Sequence, residues 1–315
     1  MSNYRPVSLS SQVSTVIETI LRDAIVSHLE ASNLIHDSQH GFRKGRSCLT
    51  NLLVFLDKLT TIVNEGHSAD VIYLDFAKDF DKVPHQRLLQ KLEGHGIQGK
   101  LLDWISSWLT NRRQRVCIQG KFFSWILVTS GVPQGSVLGP VLFLIFINDL
   151  DMGIENWILK FADDTKIFSE LSEVKDCDKL QKDLELLHKW SIDWQMQFNT
   201  EKCKVMHIGR HNPMFTYTIA NKQLEAVKQE RDLGVIIVAE DLKPSAHCTE
   251  SYTKANRMLG LIKRTVSSRQ RGIMLNLYKS IVRPYLEYCS PAWSPYYKKT
   301  KNRELYCCVA IETNV

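Results

Sequence analysis

The sequence lacks the cysteine patterns that crosslink small secreted domains or bind zinc. None of its eight cysteines forms a Cys-x-x-Cys pair, and the nearest approach to a ligand cluster, Cys203 with His207, has no second pair. Cys307 and Cys308 are adjacent and therefore poor candidates for a structural disulfide. We expect reduced thiols in an intracellular protein of the nucleus or the cytoplasm, with no clear signal for either compartment.

Long apolar runs, a secretory signal segment, repeats and low-complexity stretches are also missing. The longest apolar run, Val137 to Ile147, is interrupted by Gly139 and Pro140 and is shorter than the ~20 residues that span a bilayer. With 315 residues, 44% of them hydrophobic and 23% charged, the chain has the composition of a globular protein with two or three lobes. We therefore expect no membrane partner.

Positive charge is concentrated near the C-terminal end. The net charge is +6, yet residues 243–304 contain 13 Lys or Arg against three Glu, about +10, which leaves about −4 elsewhere. This distribution predicts a polyanion-binding lobe beside a lobe that carries carboxylates. A basic surface that is merely hydrated is the simpler alternative.

Two adjacent carboxylates, Asp163 and Asp164, lie in the middle of the segment ILKFADDTKIF (residues 158–168), which predicts a β-hairpin with both at its tip. Repulsion between two adjacent carboxylates raises the pKa of one of them unless a cation screens the charge. Carboxylate oxygens are hard ligands, which Mg²⁺ prefers. An exposed turn is the simpler alternative, because Asp is a common turn residue.

A second predicted strand, VIYL (residues 71–74), also ends in a carboxylate, Asp75, and a helix through Leu88 and Leu92 follows. If the two strands pair, Asp75 and Asp163 can meet over one or two metal ions, with Asp164 accessory. Two ions roughly 3.5–4 Å apart stabilise the attacking and leaving oxygens in phosphoryl chemistry. A metal-dependent phosphohydrolase would explain these carboxylates as well.

A glycine-containing loop, SGVPQGS (residues 130–136), precedes an apolar helix predicted from about Pro140 to Ile147. Gly131 and Gly135 let the backbone approach a ligand closely. Gln134 offers a donor and an acceptor to a base or a sugar. A phosphohydrolase leaves this loop and the basic segment unexplained.

The order of five motifs resembles the reverse transcriptases of LINE-type (non-LTR) retrotransposons, and the jockey-like group in particular. The motifs are NYRPVSL (3–9), QHGFRKGRS (39–47), LDF with FDKVPH (74–85), GVPQGSVLGP (131–140) and FADD (161–164). The resemblance extends to about residue 299. Because the family's upstream endonuclease domain is missing and the last residues diverge, we expect a truncated copy of an element.

The resemblance implies an α+β fold, the right-hand polymerase fold of fingers, palm and thumb. The fingers would comprise residues 1–65, and the palm would comprise residues 66–240 with a helical insertion toward the fingers at 93–115. The thumb would comprise residues 241–300, followed by a divergent tail at 301–315.

It also implies a catalytic site. Two Mg²⁺ ions, for which Mn²⁺ can substitute, would be held by Asp75, Asp163 and Asp164. Lys202 would protonate the departing pyrophosphate. Lys204 is its competitor, because a general acid must first be within reach of the group that it protonates, and the sequence gives no distance for either lysine.

Further implied roles concern substrate contacts. Phe80 would lie under the sugar and exclude a 2′-hydroxyl, although an ordinary core phenylalanine is the alternative. Asp79 departs from the small residue usual in the family and would repel a triphosphate unless it faces solvent. Nucleotide would be bound by Arg43, Phe76, Phe80, Gln134 and Gly135, and nucleic acid by Arg112, Arg113, Arg115, Lys254, Arg257 and Arg264.

The implied function is RNA-directed DNA polymerase activity, with an RNA template, a DNA primer and deoxynucleoside triphosphates as partners. The alternative is a catalytically inactive remnant or a co-opted open reading frame that still binds nucleic acid. Asp79 and the altered ends motivate this alternative, whereas the three intact aspartates and Phe80 argue against it.

Three expectations concern local structure. We predict strands at residues 116–118 and 125–128, and a primer-gripping hairpin formed by residues 217–219 with 232–237. Helical spacing predicts an N-terminal helix whose core-facing residues are Val13, Val16, Ile17, Ile20, Leu21, Ile25 and Leu29.

Overall fold

The computed structural model describes residues 6–294, except for the side chains of Asp79 and Val174. The predicted divergent tail and the predicted effect of the Asp79 carboxylate therefore lie outside the described residues. Among the helices of residues 6–294, none combines the length and the apolar character needed to cross a membrane.

Groups of helices and groups of strands follow one another along residues 6–294. The α-helices are α1 (Gln12–Ala31), α2 (Cys48–Asn64), α3 (Asp79–Lys82), α4 (His85–Gly94), α5 (Lys100–Leu109), α6 (Gly139–Phe146), α7 (Val174–Asp193), α8 (Ser245–Thr265), α9 (Arg271–Leu277), α10 (Arg283–Glu287) and α11 (Ser290–Trp293). A 3₁₀ turn (Asn148–Asp151) follows α6, and a π-helical turn (Tyr278–Val282) joins α9 to α10.

The strands are β1 (Ser68–Leu74), β2 (Arg113–Gln114), β3 (Cys117–Ile118), β4 (Lys121–Phe122), β5 (Ile126–Leu127), β6 (Trp157–Phe161), β7 (Asp164–Leu171), β8 (Lys204–Ile208), β9 (Thr218–Ile219), β10 (Lys222–Gln223), β11 (Glu225–Ala226), β12 (Gln229–Asp232) and β13 (Val235–Val238). Five of them form the main sheet in the order β11-β8-β1-β7-β6. The predicted strand before Asp75 and the predicted hairpin around Asp163 are thus both present.

The chain divides into two compact units. One comprises residues 6–47, 70–205 and 213–225, and its core includes the buried apolar residues of β1, α4, α6 and α7. Helix α6 is buried on all sides, as its uninterrupted apolar sequence requires. The other comprises residues 48–69, 206–212 and 226–294, with a smaller core around Ala255, Ile262 and Val282. The predicted boundaries of fingers, palm and thumb stay a prediction.

Burial on α1 differs from the expectation. Ile25 and Leu29 are buried, but Val13, Val16 and Ile20 are 60–70% exposed. Ile17, at 41%, is exposed as well. The helix is as predicted, but its buried apolar residues lie in the C-terminal half, and the buried residue of the N-terminal half is Glu18. The prediction of a continuous apolar core face was therefore wrong.

Two predicted strand arrangements also differ. Residues 113–127 form four two-residue strands, in which β2 pairs with β5 and β3 pairs with β4. The predicted primer-gripping hairpin is not formed, because β9 pairs with β10 and β12 pairs with β13. Each segment pairs with the strand next to it in sequence, which requires only a short turn.

Candidate active site

The hairpin that carries Asp163 has a two-residue connection. Phe161 of β6 pairs with Asp164 of β7, so Ala162 and Asp163 form the turn. Ala162 has a φ of 53°, a left-handed conformation that costs a non-glycine residue roughly 1 kcal/mol and needs support from its surroundings. Asp163 is half-buried and Asp164 is exposed.

The support comes from Gln39, which is 1% exposed. Its Oε1 accepts the backbone N–H of Ala162 at 2.9 Å and that of Gly41 at 2.7 Å. Ser38 and His40, the neighbours of Gln39 in sequence, are hydrogen-bonded to β6. The Lys160 N–H donates to Ser38 O and the His40 N–H donates to Lys160 O, both at 2.8 Å. The segment 38–41 is therefore a cradle for the Asp163 turn.

A buried ion pair between Lys160 and Asp151 lies next to this cradle. The Lys160 ammonium is 0% exposed and lies 3.0 Å from Oδ1 of Asp151, while Ser38 donates to the other carboxylate oxygen. Burial lowers the pKa of Lys160, and the nearby Asp151 opposes that shift. Burial, followed by the charge of Arg46, lowers the pKa of His40 to about 4, so this ring is neutral at pH 7.

Asp75 follows β1 directly and is about one-third exposed. Its Oδ2 lies 2.6 Å from the Lys202 ammonium, and its backbone carbonyl accepts the N–H of Asn199 at 2.7 Å. Burial raises the pKa of the neighbouring Cys203 thiol to about 11, so that group stays protonated at pH 7. The structure thus brings together two of the predicted catalytic residues, Asp75 and Lys202.

Two of the three predicted metal-binding aspartates, Asp75 and Asp163, flank neighbouring strands. Asp75 follows β1, Asp163 precedes β7, and β1 and β7 are adjacent in the sheet. Asp164 is the first residue of β7 and is exposed. Among the described residues, the carboxylate oxygens of all three do not converge within 4.8 Å.

The loop at Gly131 packs against the segment after Asp75. Gly131 N–H donates to Val83 O at 2.8 Å, and Val132 N–H donates to Phe80 O at 2.7 Å. Gly131 has a φ of 94°, and an ideal Cβ there would lie 2.6 Å from Asp81 O. Glycine is therefore required at this position for both conformation and space.

The two predicted phenylalanines have different surroundings. The Phe76 ring is 2% exposed and stacks on Phe198 at a centroid distance of 4.5 Å, so its side chain serves the core. The Phe80 ring is half-buried and stacks on Phe143 at 4.7 Å. Phe80 is thus partly accessible beside the Gly131 loop.

Gln134 and Gly135 lie on the outer part of the same loop. Gln134 is half-buried, Gly135 is exposed with a φ of 91°, and the Gln134 carbonyl accepts the Ser8 N–H at 2.8 Å. The fully buried Glu18 of α1 fixes the start of the following helix, because its Oε2 accepts the Val137 N–H at 2.9 Å. Its Oε1 accepts the Trp108 indole N–H at 3.2 Å.

Predicted cations for substrate binding differ in how free they are. Arg43 donates to His36 O at 2.9 Å and lies 3.6 Å from Asp37. Arg112 is half-buried and donates to Ser8 Oγ at 2.6 Å, whereas Arg113 and Arg115 are exposed.

In the other unit, α8 carries three predicted nucleic-acid contacts. Lys254 pairs with Glu250 at 2.5 Å, and Arg257 and Arg264 are exposed. The opposite face of α8 includes the buried Ile262. The contacts of these three residues with nucleic acid stay a prediction.

Sequence reasoning missed Gln39 and Glu18 as residues of the site. Gln39 belongs to the motif QHGFRKGRS, but nothing in that motif relates it to the Asp163 turn, which lies 123 positions away. Glu18 gives no such signal, because an acidic residue on an amphipathic helix is ordinarily solvent-exposed.

Comparisons with known proteins agree with this geometry. Residues 1–262 match the family described as "Reverse transcriptase (RNA-dependent DNA polymerase)". The chain is 27% identical to the "Probable RNA-directed DNA polymerase from transposon X-element" of Drosophila melanogaster, covering 93% of this chain and 33% of the relative. It is 26% identical to the "RNA-directed DNA polymerase from mobile element jockey" of the same species, covering 91% and 33%. The chain thus spans about a third of the length of these relatives.

Among solved structures, apo telomerase from Candida Tropicalis matches with a TM-score of 0.53 and 12% identity, covering 95% of this chain and 57% of that one. A C-terminally truncated form matches with a TM-score of 0.51 and 14% identity, covering 73% and 45%. These likenesses concern the fold alone, and they confirm the predicted right-hand polymerase fold. The relatives confirm the resemblance to jockey-like retrotransposons, and the chain belongs to the reverse transcriptase (RNA-dependent DNA polymerase) family.

Proposed function

We propose that this chain is an RNA-directed DNA polymerase, which transfers a nucleotidyl group from a deoxynucleoside triphosphate to a primer 3′-hydroxyl. The observation that carries the proposal is the placement of Asp75 and Asp163 at the ends of adjacent strands, with the Lys202 ammonium beside Asp75. The names of the relatives, RNA-directed DNA polymerases, support an RNA template and a DNA product. The partners would then be an RNA template, a DNA primer and deoxynucleoside triphosphates.

The carboxylates fit a divalent metal ion by their chemistry. Their oxygens are hard ligands, and the carboxylate of Asp75 already has a cation, the Lys202 ammonium, 2.6 Å away. We propose that Asp75 and Asp163 hold two Mg²⁺ ions with assistance from Asp164, and that Mn²⁺ can substitute. Bound ions would lower the pKa of the attacking hydroxyl and offset charge on the leaving pyrophosphate.

The chain's own residues would position the reactants and move one proton. The primer O3′ forms a bond to the α-phosphorus while the bond from that phosphorus to the bridging oxygen breaks. Lys202 donates a proton to the released pyrophosphate, and the 3′-hydroxyl proton passes to solvent. A comparison of Lys202→Ala with Lys204→Ala in pyrophosphate release would assign this acid, because only loss of the true donor should slow it strongly.

Substrate binding would use the segments around these carboxylates. Arg43 would exchange its contact with the His36 carbonyl for the triphosphate, a stronger charge-assisted hydrogen bond. Phe80 would lie under the sugar and disfavour ribonucleotides. Gln134 and Gly135 would contact the nucleotide through the exposed part of their loop.

Primer extension tests the proposal directly. Purified chain, an RNA template with an annealed DNA primer, deoxynucleoside triphosphates and Mg²⁺ should give extended primer. Asp163→Ala should reduce extension by about 10³-fold or more, the scale of losing one electrostatic element of phosphoryl transfer. Asp178→Ala, which changes an exposed aspartate of α7, should leave extension unchanged.

The opposite result is equally informative. A wild-type chain that extends nothing, where the jockey polymerase works under the same conditions, contradicts the proposal. If this chain then binds the duplex with an affinity that falls steeply with salt, it is a nucleic-acid binder. Asp79→Ala in the same assay would identify that carboxylate as the cause if it restored extension.

A further inference from the structure

The segment Arg113–Leu127 projects from the first unit as an exposed β-hairpin. Every one of its residues is solvent-exposed. Seven large apolar side chains are each 54–64% exposed: Val116, Ile118, Phe122, Phe123, Trp125, Ile126 and Leu127. Because a two-stranded hairpin is marginally stable alone in water, and because such patches mark interaction sites, this hairpin is a docking surface.

The charge of the hairpin identifies the partner. Residues 111–128 contain four cations and no acidic residue. The Arg115 guanidinium lies 3.8 Å from the Phe122 ring centroid and 4.4 Å from that of Trp125. Arg115 is thereby held on an aromatic platform with its charge exposed. The Phe123 side chain is 60% exposed.

Aromatic rings interleaved with cations suit unpaired nucleic acid. Exposed bases stack on aromatic rings and on guanidinium planes, while cations contact the phosphates. A purely apolar protein partner would leave four like charges uncompensated at the interface, which costs free energy. A duplex offers phosphates but no free base faces, so it would use the cations and leave the rings without partners.

The base of the hairpin connects to the candidate active site. Val128 N–H donates to Arg112 O at 2.8 Å and closes the hairpin, and the chain then continues to Gly131. The backbone N–H groups of Gly131 and Val132 donate hydrogen bonds to the segment that carries Phe80. Only residues 128–129 separate the hairpin from the loop 130–136, which carries the proposed nucleotide contacts Gln134 and Gly135.

We propose that the hairpin Arg113–Leu127 binds single-stranded RNA, the unpaired part of the template, by stacking bases on Phe123 and Trp125 while its cations contact phosphates. This inference rests on the proposed polymerase function for the choice of RNA. It goes beyond that function in assigning recognition of unpaired bases to a segment outside the catalytic carboxylates.

Fluorescence anisotropy with the full chain and a labelled oligouridylate of about 12 nucleotides tests the proposal. The double change Phe123→Ala with Trp125→Ala should weaken binding by about tenfold or more. The conservative pair Phe123→Tyr with Trp125→Phe should restore it, since both rings still stack. The matched control, Ile118→Ala with Ile126→Ala, removes equally exposed apolar groups and should not change the affinity.

Other results overturn the proposal. If the aliphatic control weakens binding as much as the aromatic change does, base stacking is not the basis of recognition. If the aromatic change instead converts a dimer to a monomer in sedimentation without altering RNA affinity, the surface binds protein. If single-stranded DNA binds more tightly than the RNA, the assignment to an RNA template is wrong.

Primer extension separates failure of this inference from failure of the proposed function. If the wild-type chain extends the primer and the double variant Phe123→Ala with Trp125→Ala binds RNA as tightly as the wild type, the polymerase proposal stands and the proposed stacking site is wrong. If the double variant binds RNA more weakly but the wild-type chain extends no primer, the stacking site is supported and the polymerase proposal is contradicted.

Discussion

At the scale of single residues, the site depends on a side chain that carries no charge. Gln39 holds the Ala162–Asp163 turn by accepting two backbone N–H groups, and Gly41 allows the two segments to approach. An ideal Cβ at Gly41 would lie 2.4 Å from Ala162 N and 3.1 Å from the carbonyl carbon of Phe161. Since neither contact is the end of a flexible side chain, the turn itself would have to move.

Gly41→Ala should therefore impair primer extension by about tenfold to a hundredfold, because displacement of a catalytic group by about 1 Å has an effect of this size. Primer extension under single-turnover conditions measures this. The matched control is Gly94→Ala at the end of α4, where a Cβ would meet nothing within 4 Å. Full activity of Gly41→Ala would show that the cradle tolerates a methyl group and does not position Asp163.

The sequence predicted the aspartates but not the cradle, for a physical reason. Asp75 and Asp163 each end or begin a strand, so the local apolar pattern already indicates where their carboxylates lie. The bond from Ala162 to Gln39 joins residues 123 positions apart. No local pattern encodes such a contact, and it becomes visible only when both segments are packed along β6.

At the scale of elements, periodicity predicted where helices form better than which faces they bury. The spacing of apolar residues correctly predicted α1 and α4. On α1, however, Val16 is 60% exposed while Leu29 is fully buried. The same periodic stripe continues beyond the end of the core, and periodicity contains no information about where a core ends.

The two ends of α1 should therefore respond differently to truncation of an apolar side chain. Leu29→Ala should lower the free energy of unfolding by about 2–5 kcal/mol, the usual cost of a cavity. Val16→Ala should change it by less than about 0.5 kcal/mol, since alanine favours helix and no buried contact is lost. Urea unfolding of both variants measures the difference. Equal losses would mean that the exposed half of α1 is covered in solution.

The exposed segment Arg113–Leu127 illustrates the same limit for strands. Two strands were predicted there, and the structure has four short ones in a broken hairpin. An exposed hairpin has no core face to fix its alternation of side chains, so composition specifies its register only weakly. From the sequence, only the cations of this segment, Arg113 and Arg115, were predicted to contact nucleic acid, and those contacts stay a prediction.

At the scale of the whole molecule, charge separates the two ends of the chain. Carboxylates of the candidate site lie in the first unit, and the described basic residues of 243–294 lie in the second. Not every cation there is equally free. Glu250 is shared by Arg231 at 2.6 Å and Lys254 at 2.5 Å, so these two cations are already partly neutralised.

Arg257 and Arg264 should accordingly account for more of the salt dependence of duplex binding than Lys254 does. Each phosphate contact contributes about 0.9 to the slope of log affinity against log salt concentration. Arg257→Ala with Arg264→Ala should therefore reduce the magnitude of this slope by about 2 for an RNA–DNA hybrid titrated between about 50 and 200 mM salt.

The control for that titration is a double variant that has the same net charge as Arg257→Ala with Arg264→Ala but loses its two cations from another helix. Lys175→Ala with Lys182→Ala removes two exposed cations from α7 in the first unit. If α8 contacts the phosphates, this control should keep the wild-type slope, because the slope counts phosphate contacts and not the net charge of the protein. Equal loss of slope in both double variants would mean that net charge alone governs binding, and α8 would then be a hydrated surface.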